Sequence, residues 1–292
     1  MPDSNDSVLL KIGNRELKIS NPDKLFWPED KITKLDLVNY YIDICQYILP
    51  FVKDRPQTLH RYPDGYSGKS FYQKDVGKLK LPEWIKTKKI KSTSSKKTTE
   101  YLICDSCESL IFMVNLGCIE IHPWISRVGS LNYPDWIVFD LDIQETEFEN
   151  VIIVAKGLND LLKKHGIKSF CKTSGANGLH IYIQNKNNLK YKEAKDFAFN
   201  YAKMLNSKFP DLTSLVRNPA LREKKIYIDY LQNSRGKTMA APYSVRPFKG
   251  APVSIPLSWN EISTNFNKDS FNLKTVPKRL QKSGEIWSDF LF

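Results

Sequence analysis

Two aspartates, Asp140 and Asp142, stand two residues apart in WIVFDLDIQ, residues 136–144, where four of the first five side chains are apolar. Alternate side chains of a strand share a face, so both carboxylates point the same way. Like charges this close repel in a low-dielectric site unless a proton or a cation intervenes. A divalent cation with oxygen ligands answers the repulsion, and Mg²⁺ or Mn²⁺ fits best. An exposed strand end, or a cap for the following helix, would also explain a lone DxD. KIYIDYL then sets Asp229 among apolar and aromatic residues, an unusual place for a charge. Three carboxylates from two strands could hold two metals arranged for phosphoryl transfer. A salt bridge from Asp229 to Arg222 or to a nearby lysine is the competing reading.

CKTSGANGLHIYI supplies a third element of chemistry. Glycines 175 and 178 permit a turn whose backbone N–H groups face an anion, and Lys172, Ser174 and His180 bring a charge, a hydroxyl and an imidazole to it. The combination suits a triphosphate. It is not a Walker A loop, because the GxxxxGK[ST] spacing is absent. His122, in EIHPW, lies shortly before the DxD strand, and a lone histidine beside a tryptophan is more often a packed structural residue.

These groups must be held by strands and helices, and the periodicity supplies both. Thr33 is an N-cap with Asp36 in the first turn, and apolar residues at Leu35, Val38, Tyr41, Ile42, Cys45 and Ile48–Leu49 follow helical spacing until Pro50 stops it. Turn signals punctuate residues 55–75. Residues 78–97 carry eight lysines against one acid, Glu83, which reads as a surface segment. SLIFMVNLG reads as a helix, GCIEIHPW and WIVFDLDI as strands. A helical stripe from Phe148 to Leu162 closes at Gly166. KSFCKTSG and GLHIYIQ follow, then a stripe from Ala194 to Leu205, the strand KIYIDYLQN, and a proline-rich, irregular tail over 242–260. The order is mixed α and β without an internal repeat.

The bulk properties frame the partner. The 292 residues carry 44 Lys and Arg against 32 Asp and Glu, a net charge of +12 and a pI near 9.3. That balance favours a polyanion such as nucleic acid, although a solvated lysine-rich face has the same composition. No apolar run is long enough to span a bilayer, so no membrane partner is expected. The five cysteines, behind an N-terminus without signal-peptide order, are expected to be reduced thiols in a cytoplasmic protein. CDSC at 104–107 with Cys118 and His122 downstream lacks the second CxxC that a structural zinc site would use.

HRYPDGYSGKSFYQK, EIHPW, PDWIVFDLD, KTSGANGLHIYI, IYIDYLQN and APYSVRPFKGAPVSIPLSW occur in this order. Together they resemble the polymerase domain of bacterial ligase D and its stand-alone archaeal and bacterial relatives, within the archaeo-eukaryotic primase superfamily. The resemblance runs from about residue 17 to 290, leaving 1–16 as a lead-in. It implies an α/β (α+β) fold: an RRM-like catalytic core packed with a second β-sheet as one compact domain over 1–292. The implied activity is template-directed nucleotide addition in non-homologous end joining, with two Mn²⁺ or Mg²⁺ ions and a tendency to prefer ribonucleotides.

Residue by residue, the resemblance implies metal-binding carboxylates at Asp140, Asp142 and Asp229 and a histidine near the metals at His122. It implies triphosphate contacts at Ser174 and His180 with Lys172 beside them, and an active-site Arg222. Arg246 matches an arginine of the nucleotide site, and His60 and Arg61 lie where the family approaches the nucleotide sugar. Phe71 and Tyr72 match a pair that stacks on the template strand, and Lys24 and Lys34 match lysines that hold a 5′-phosphate. The implied partners are DNA with 5′-phosphate gaps or 3′ overhangs, NTPs and dNTPs. With no KxDG ligase motif in the chain, a separate ATP-dependent ligase and a Ku-type protein are expected as well. A non-catalytic end-binding module recognising a 5′-phosphate is the alternative. It would need the two lysines and the aromatic pair, but not three carboxylates. A metal-dependent nuclease or a DxD sugar transferase would leave the aromatic pair and the phosphate lysines unexplained.

Overall fold

The computed structural model describes residues 6–93, 95, 97–143, 145–263 and 266–291. Part of the lead-in (1–5), Ser94 and Lys96 of the lysine run, and Gln144 after the DxD strand lie outside the described residues. The chain folds as two compact units, each assembled from separated stretches of sequence. One comprises the N-terminal stretch up to Trp124 with Ala240–Val253 and Phe271–Gly284. The other comprises Ile125–Met239, Ser254–Ser270 and the stretch from Glu285.

The first unit begins with an antiparallel hairpin of β1 (Ser7–Ile12) and β2 (Arg15–Ser20), so the described part of the lead-in is ordered secondary structure. β3 (Leu25–Trp27) and β4 (Ile32–Thr33) form a short ladder that delivers the chain to α1 (Lys34–Asp43). Thr33 caps α1 as expected: its side chain accepts from the Asp36 N–H, and the Asp36 carboxylate accepts from the Thr33 N–H at 2.8 Å. The helical stretch breaks at Ile44, and α2 (Cys45–Val52) continues two residues past Pro50. The proline is therefore tolerated near the end of α2 and does not set the stop. A five-stranded sheet follows: β5 (Arg55–Arg61), β6 (Phe71–Gln73), β7 (Thr87–Lys91), β8 (Thr98–Cys104) and β9 (Cys118–Pro123). α3 (Cys107–Asn115) lies between β8 and β9 in sequence. Much of the lysine run thus belongs to the β7–β8 hairpin, with Lys88, Lys89 and Lys91 exposed.

Cys45 and Cys107 form a disulfide that joins the starts of α2 and α3. This corrects the expectation of five reduced thiols. Spacing could not show it, because the partners are 62 residues apart and meet only through packing of the helices. Cys104, Cys118 and Cys171 are buried free thiols.

The second unit is built on β10 (Trp136–Asp142), β11 (Phe170–Thr173), β12 (Leu179–Gln184), β13 (Thr213–Ser214) and β14 (Ile226–Asp229), with Pro256–Leu257 at one edge. Their order is β13, β14, β10, β12, β11, then Pro256–Leu257. Two helices, α4 (Phe148–Lys164) and α5 (Tyr191–Lys208), pack on each other and against this sheet. Alternation divides the sheet cleanly. Ile137, Phe139, Leu141, Cys171, Leu179, Ile181, Ile183 and Ile228 share one parity and are all buried, which makes that face a core layer. The opposite parity is apolar at one end, where Trp136, Tyr182 and Phe170 meet Trp287 and Phe290. At its other end this face turns polar.

Candidate active site

That polar end is a single row of directly opposed residues. Lys172 pairs with His180, His180 with Asp140, and Asp140 with Asp229 across β11, β12, β10 and β14. Opposed residues of antiparallel strands project to the same side, so the register alone gathers four of the expected site residues on one face. Asp142 follows two positions along β10, opposite Tyr227. His180 Nε2 lies 3.1 Å from Asp140 Oδ1. Asp229 is fixed by its own turn: the Leu231 N–H donates to Oδ1 at 2.8 Å, and Gln232 Nε2 donates to Oδ2 at 3.0 Å. The expected salt-bridge alternative for Asp229 finds no support in Arg222, whose guanidinium donates to the Val216 and Arg217 carbonyls and lies over the Tyr227 ring, 3.9 Å from its centroid.

Asp142 and Asp229 are both raised. Burial, and then the charges of Asp140 and Asp229, push the Asp142 carboxyl up to about 7 against the pull of Arg222. Burial and Asp140 also raise Asp229, against its hydrogen bonds to Leu231 and Gln232. Excess negative charge held on a rigid sheet, with oxygen donors, fits a hard divalent cation. The three aspartates are therefore the residues that would hold it.

The glycine turn works differently from the expectation. The N–H groups of Ala176 and Gly178 both donate to Ser174 Oγ at 3.0 Å, so they brace the serine and do not line an anion nest. Gly178 is required by space: a Cβ there would stand 2.5 Å from the Leu141 carbonyl oxygen. Gly175 has φ of +72°, the left-handed conformation that glycine adopts readily. Lys172 is fully buried, with Nζ against Ser254 Oγ and 3.4 Å from the Thr173 carbonyl, which sets its charge beneath the turn.

The first unit gathers the rest of the expected residues. A bulge in the β5–β9 pairing sets Ile119 and Glu120 against the single residue His60. Glu120, 3% exposed, takes His60 Nδ1 at 2.5 Å on Oε1, and Arg246 Nε at 2.7 Å and His122 Nε2 at 3.2 Å on Oε2. Burial alone would raise this carboxyl, but His122, His60 and Arg246 outweigh it and hold Glu120 well below the usual carboxylate range. Two histidines and a carboxylate this close could hold a metal ion. Here the Arg246 guanidinium already supplies the cation. Glu120 was missed in the sequence, yet EIH has the same two-residue spacing on a buried strand that singled out DLD.

Tyr72, 62% exposed, stacks on His60 with ring centroids 3.8 Å apart, and the Arg61 guanidinium lies 5.3 Å from the exposed Phe71 ring. Both pairs follow from the β5–β6 register, His60 to Tyr72 and Arg61 to Phe71. Lys24 and Lys34 are brought together by the β3–β4 ladder, the Lys34 N–H donating to the Lys24 carbonyl. Lys24 pairs with Asp64 at 2.7 Å. Lys34 is buried and donates to the Ser20 carbonyl, Ser20 Oγ and Asn115 Oδ1; burial, then Lys24, lowers it to about 8.

The family model for the LigD primase-polymerase domain matches residues 33–287. The chain belongs to that family. As a LigD primase-polymerase domain it is a nucleotidyltransferase with a mixed α/β fold. It is similar to the multifunctional non-homologous end joining protein LigD of Pseudomonas aeruginosa, 32% identical over 277 residues, covering 94% of this chain and 33% of that protein. The bifunctional non-homologous end joining protein LigD of Bacillus subtilis is 32% identical over 277 residues, covering 94% of this chain and 44% of that protein. The chain thus spans less than half the length of these curated relatives. Among solved structures, the polymerase domain of Mycobacterium tuberculosis ligase D in complex with DNA superposes with a TM-score of 0.86 at 28% identity, covering 94% of this chain and 98% of that one. Among the described residues no helix is long and apolar enough to cross a membrane.

Proposed function

We propose that this primase-polymerase domain adds nucleotides to a primer on a DNA template at gaps and broken ends, in non-homologous end joining. The observation that carries the reading is the cross-strand row that sets Asp140, Asp229 and His180 side by side, with Asp142 next along β10. Asp140, Asp142 and Asp229 would hold two divalent cations, Mn²⁺ or Mg²⁺, which when bound favour attack of the 3′-oxygen on the α-phosphate and offset charge on the leaving pyrophosphate.

The remaining roles belong to the chain's own side chains. His180 and the braced Ser174 hydroxyl bind the triphosphate, and buried Lys172 supplies positive charge beneath their turn. Arg222 moderates the charge on Asp142. On the first unit, Arg246 and His122 address nucleotide phosphates, and His60 and Arg61 lie toward the sugar, where a preference for ribonucleotides would arise through the 2′-hydroxyl. Phe71 and Tyr72 offer exposed rings on which any template base can stack. Lys24 and Lys34 favour a 5′-phosphate, Lys24 as the direct donor and Lys34 as a buried charge behind it. An ATP-dependent ligase activity and a Ku-type protein are what this role calls for beside the domain.

The test is extension of a labelled primer on a gapped duplex bearing a 5′-phosphate, with each rNTP or dNTP and with Mn²⁺ or Mg²⁺. Templated addition, faster with rNTPs, is the expected result. Tight, phosphate-dependent binding without any addition would replace this reading with a non-catalytic end-binding module.

A further inference from the structure

We infer that Glu120 is the positioning residue of the first unit: one buried carboxylate sets the orientation of Arg246, His122 and His60 together. The inference rests on the reading that Arg246 and His122 address a nucleotide triphosphate, and it gives that site a control point that none of the phosphate-facing groups provides.

An ionised carboxylate only accepts hydrogen bonds. With Glu120 held ionised by its surroundings, the His60 ring nitrogen that bonds to it must carry a proton. His60 therefore bears its proton on Nδ1, which leaves Nε2, 3.1 Å from Ser70 Oγ, to accept from that hydroxyl when the ring is neutral. His122 Nε2 is buried 3.2 Å from Oε2, a charge contact without hydrogen-bond geometry. The bond from Arg246 Nε fixes the plane of the guanidinium and so the direction of its NH₂ groups. Tyr62, whose hydroxyl lies 3.0 Å from His60 Nδ1 and 3.4 Å from Glu120 Oε1, closes the cluster.

The backbone holds Glu120 as firmly as its side chain holds the others. The bulge aims it at His60, the Ile121 N–H donates to Ser244 Oγ at 2.8 Å, and the Ala241 N–H donates to the Ile121 carbonyl. These bonds lay the segment that carries Arg246 alongside β9. Tyr41 ties the same two segments, donating to the Ile119 carbonyl at 2.7 Å and accepting from the Val245 N–H at 3.0 Å. Glu120 thus sits on a rigid frame, which a positioning group requires.

Glu120→Gln tests the inference with little change of shape. The amide presents one acceptor and one donor group, so it cannot accept from His60 on one side and Arg246 on the other. The expected result is a rise in the nucleotide KM of about 10- to 100-fold, the range for losing a hydrogen bond to a charged group. Affinity for nucleotide-free primer–template should stay within about twofold. Glu120→Asp, which keeps the charge, should recover part of the loss.

A double-mutant cycle with Arg246→Ala separates positioning from scaffolding. If Glu120 acts through Arg246 as well as the histidines, adding Glu120→Gln to Arg246→Ala costs clearly less than Glu120→Gln costs the wild type. Losses that multiply in full, or an unchanged KM with only a lower melting temperature, would overturn the inference. Extension by the wild type checks the underlying reading separately. Should the wild type fail to extend, that reading falls, and the same cycle is run on nucleotide affinity by calorimetry, with the same outcomes deciding.

Discussion

Asp142 carries the clearest consequence at the scale of one residue. Its carboxyl is raised to about 7 in the folded chain, chiefly by burial and by Asp140 and Asp229. The folded state therefore binds a proton that the unfolded state releases near pH 4. The Asp142 contribution to the stability of the metal-free protein falls as pH rises from about 4 to 7 and levels off above that, with a slope of at most about 1.4 kcal/mol for each step of one in pH. Asp142→Asn removes the repelling charge. The metal-free variant is expected to be more stable than the wild type at pH 8 by a few kcal/mol, with the difference vanishing near pH 4, as read by urea denaturation. Mn²⁺ should raise the wild-type melting temperature at pH 8 and leave the variant nearly unmoved. Equal stabilities at both pH values would contradict the electrostatic account. DLD was legible in the sequence because carboxylates on a buried strand break the alternation of composition. Glu120 broke it equally in EIH, but His122 drew attention to itself as a lone residue, and a partner 126 positions away, Arg246, could not be read from spacing.

At the scale of elements, the site depends on how β14 is held against β10. β14 ends at Asp229, and its pairing covers only Asp140 to Asp142 of β10. Beyond that point the fully buried Asn233 side chain takes over: Oδ1 accepts from the Val138 N–H at 2.8 Å, and Nδ2 donates to the Val138 carbonyl at 2.7 Å. One side chain thus continues the ladder and pins the turn that carries Asp229. Asn233→Ala would leave two buried backbone groups without their partner. It is expected to cost about 2–4 kcal/mol and to slow extension beyond what the lost stability explains. Urea denaturation with initial rates well below the melting temperature checks both; a stable, fully active variant would dismiss the role. Most strands and helices were visible as periodic runs. The β1–β2 hairpin was not, because only Ile12, Leu17 and Ile19 of it are buried and its alternation is diluted by charge. The continuation of α2 past Pro50 was not visible either, since a proline's effect depends on where the helix starts.

For the molecule as a whole, the sequence read as a run of elements with no boundary, whereas each compact unit collects stretches that are far apart. Ala240–Val253 returns to the first unit because Ala241 and Ser244 bond to β9, a long-range choice that no local periodicity reports. The Cys45–Cys107 disulfide is a second long-range link. Its 62-residue separation limits the unfolded chain, and reduction is expected to lower stability by about 2–4 kcal/mol. Denaturation with and without a phosphine reductant measures this, with Cys45→Ser as the control that the reductant should leave unchanged. No difference for the wild type would remove the bridge from the account of stability.

The central claim is that the Asp140, Asp142 and Asp229 cluster performs nucleotide addition. The most direct measurement sets Asp142→Ala beside the wild type on a gapped, 5′-phosphorylated duplex, scoring primer extension and DNA affinity in the same buffer. The account predicts templated extension by the wild type, none by the variant, and DNA affinities within about twofold of each other, since the DNA-facing residues assigned above do not include Asp142. Extension retained by Asp142→Ala would contradict it.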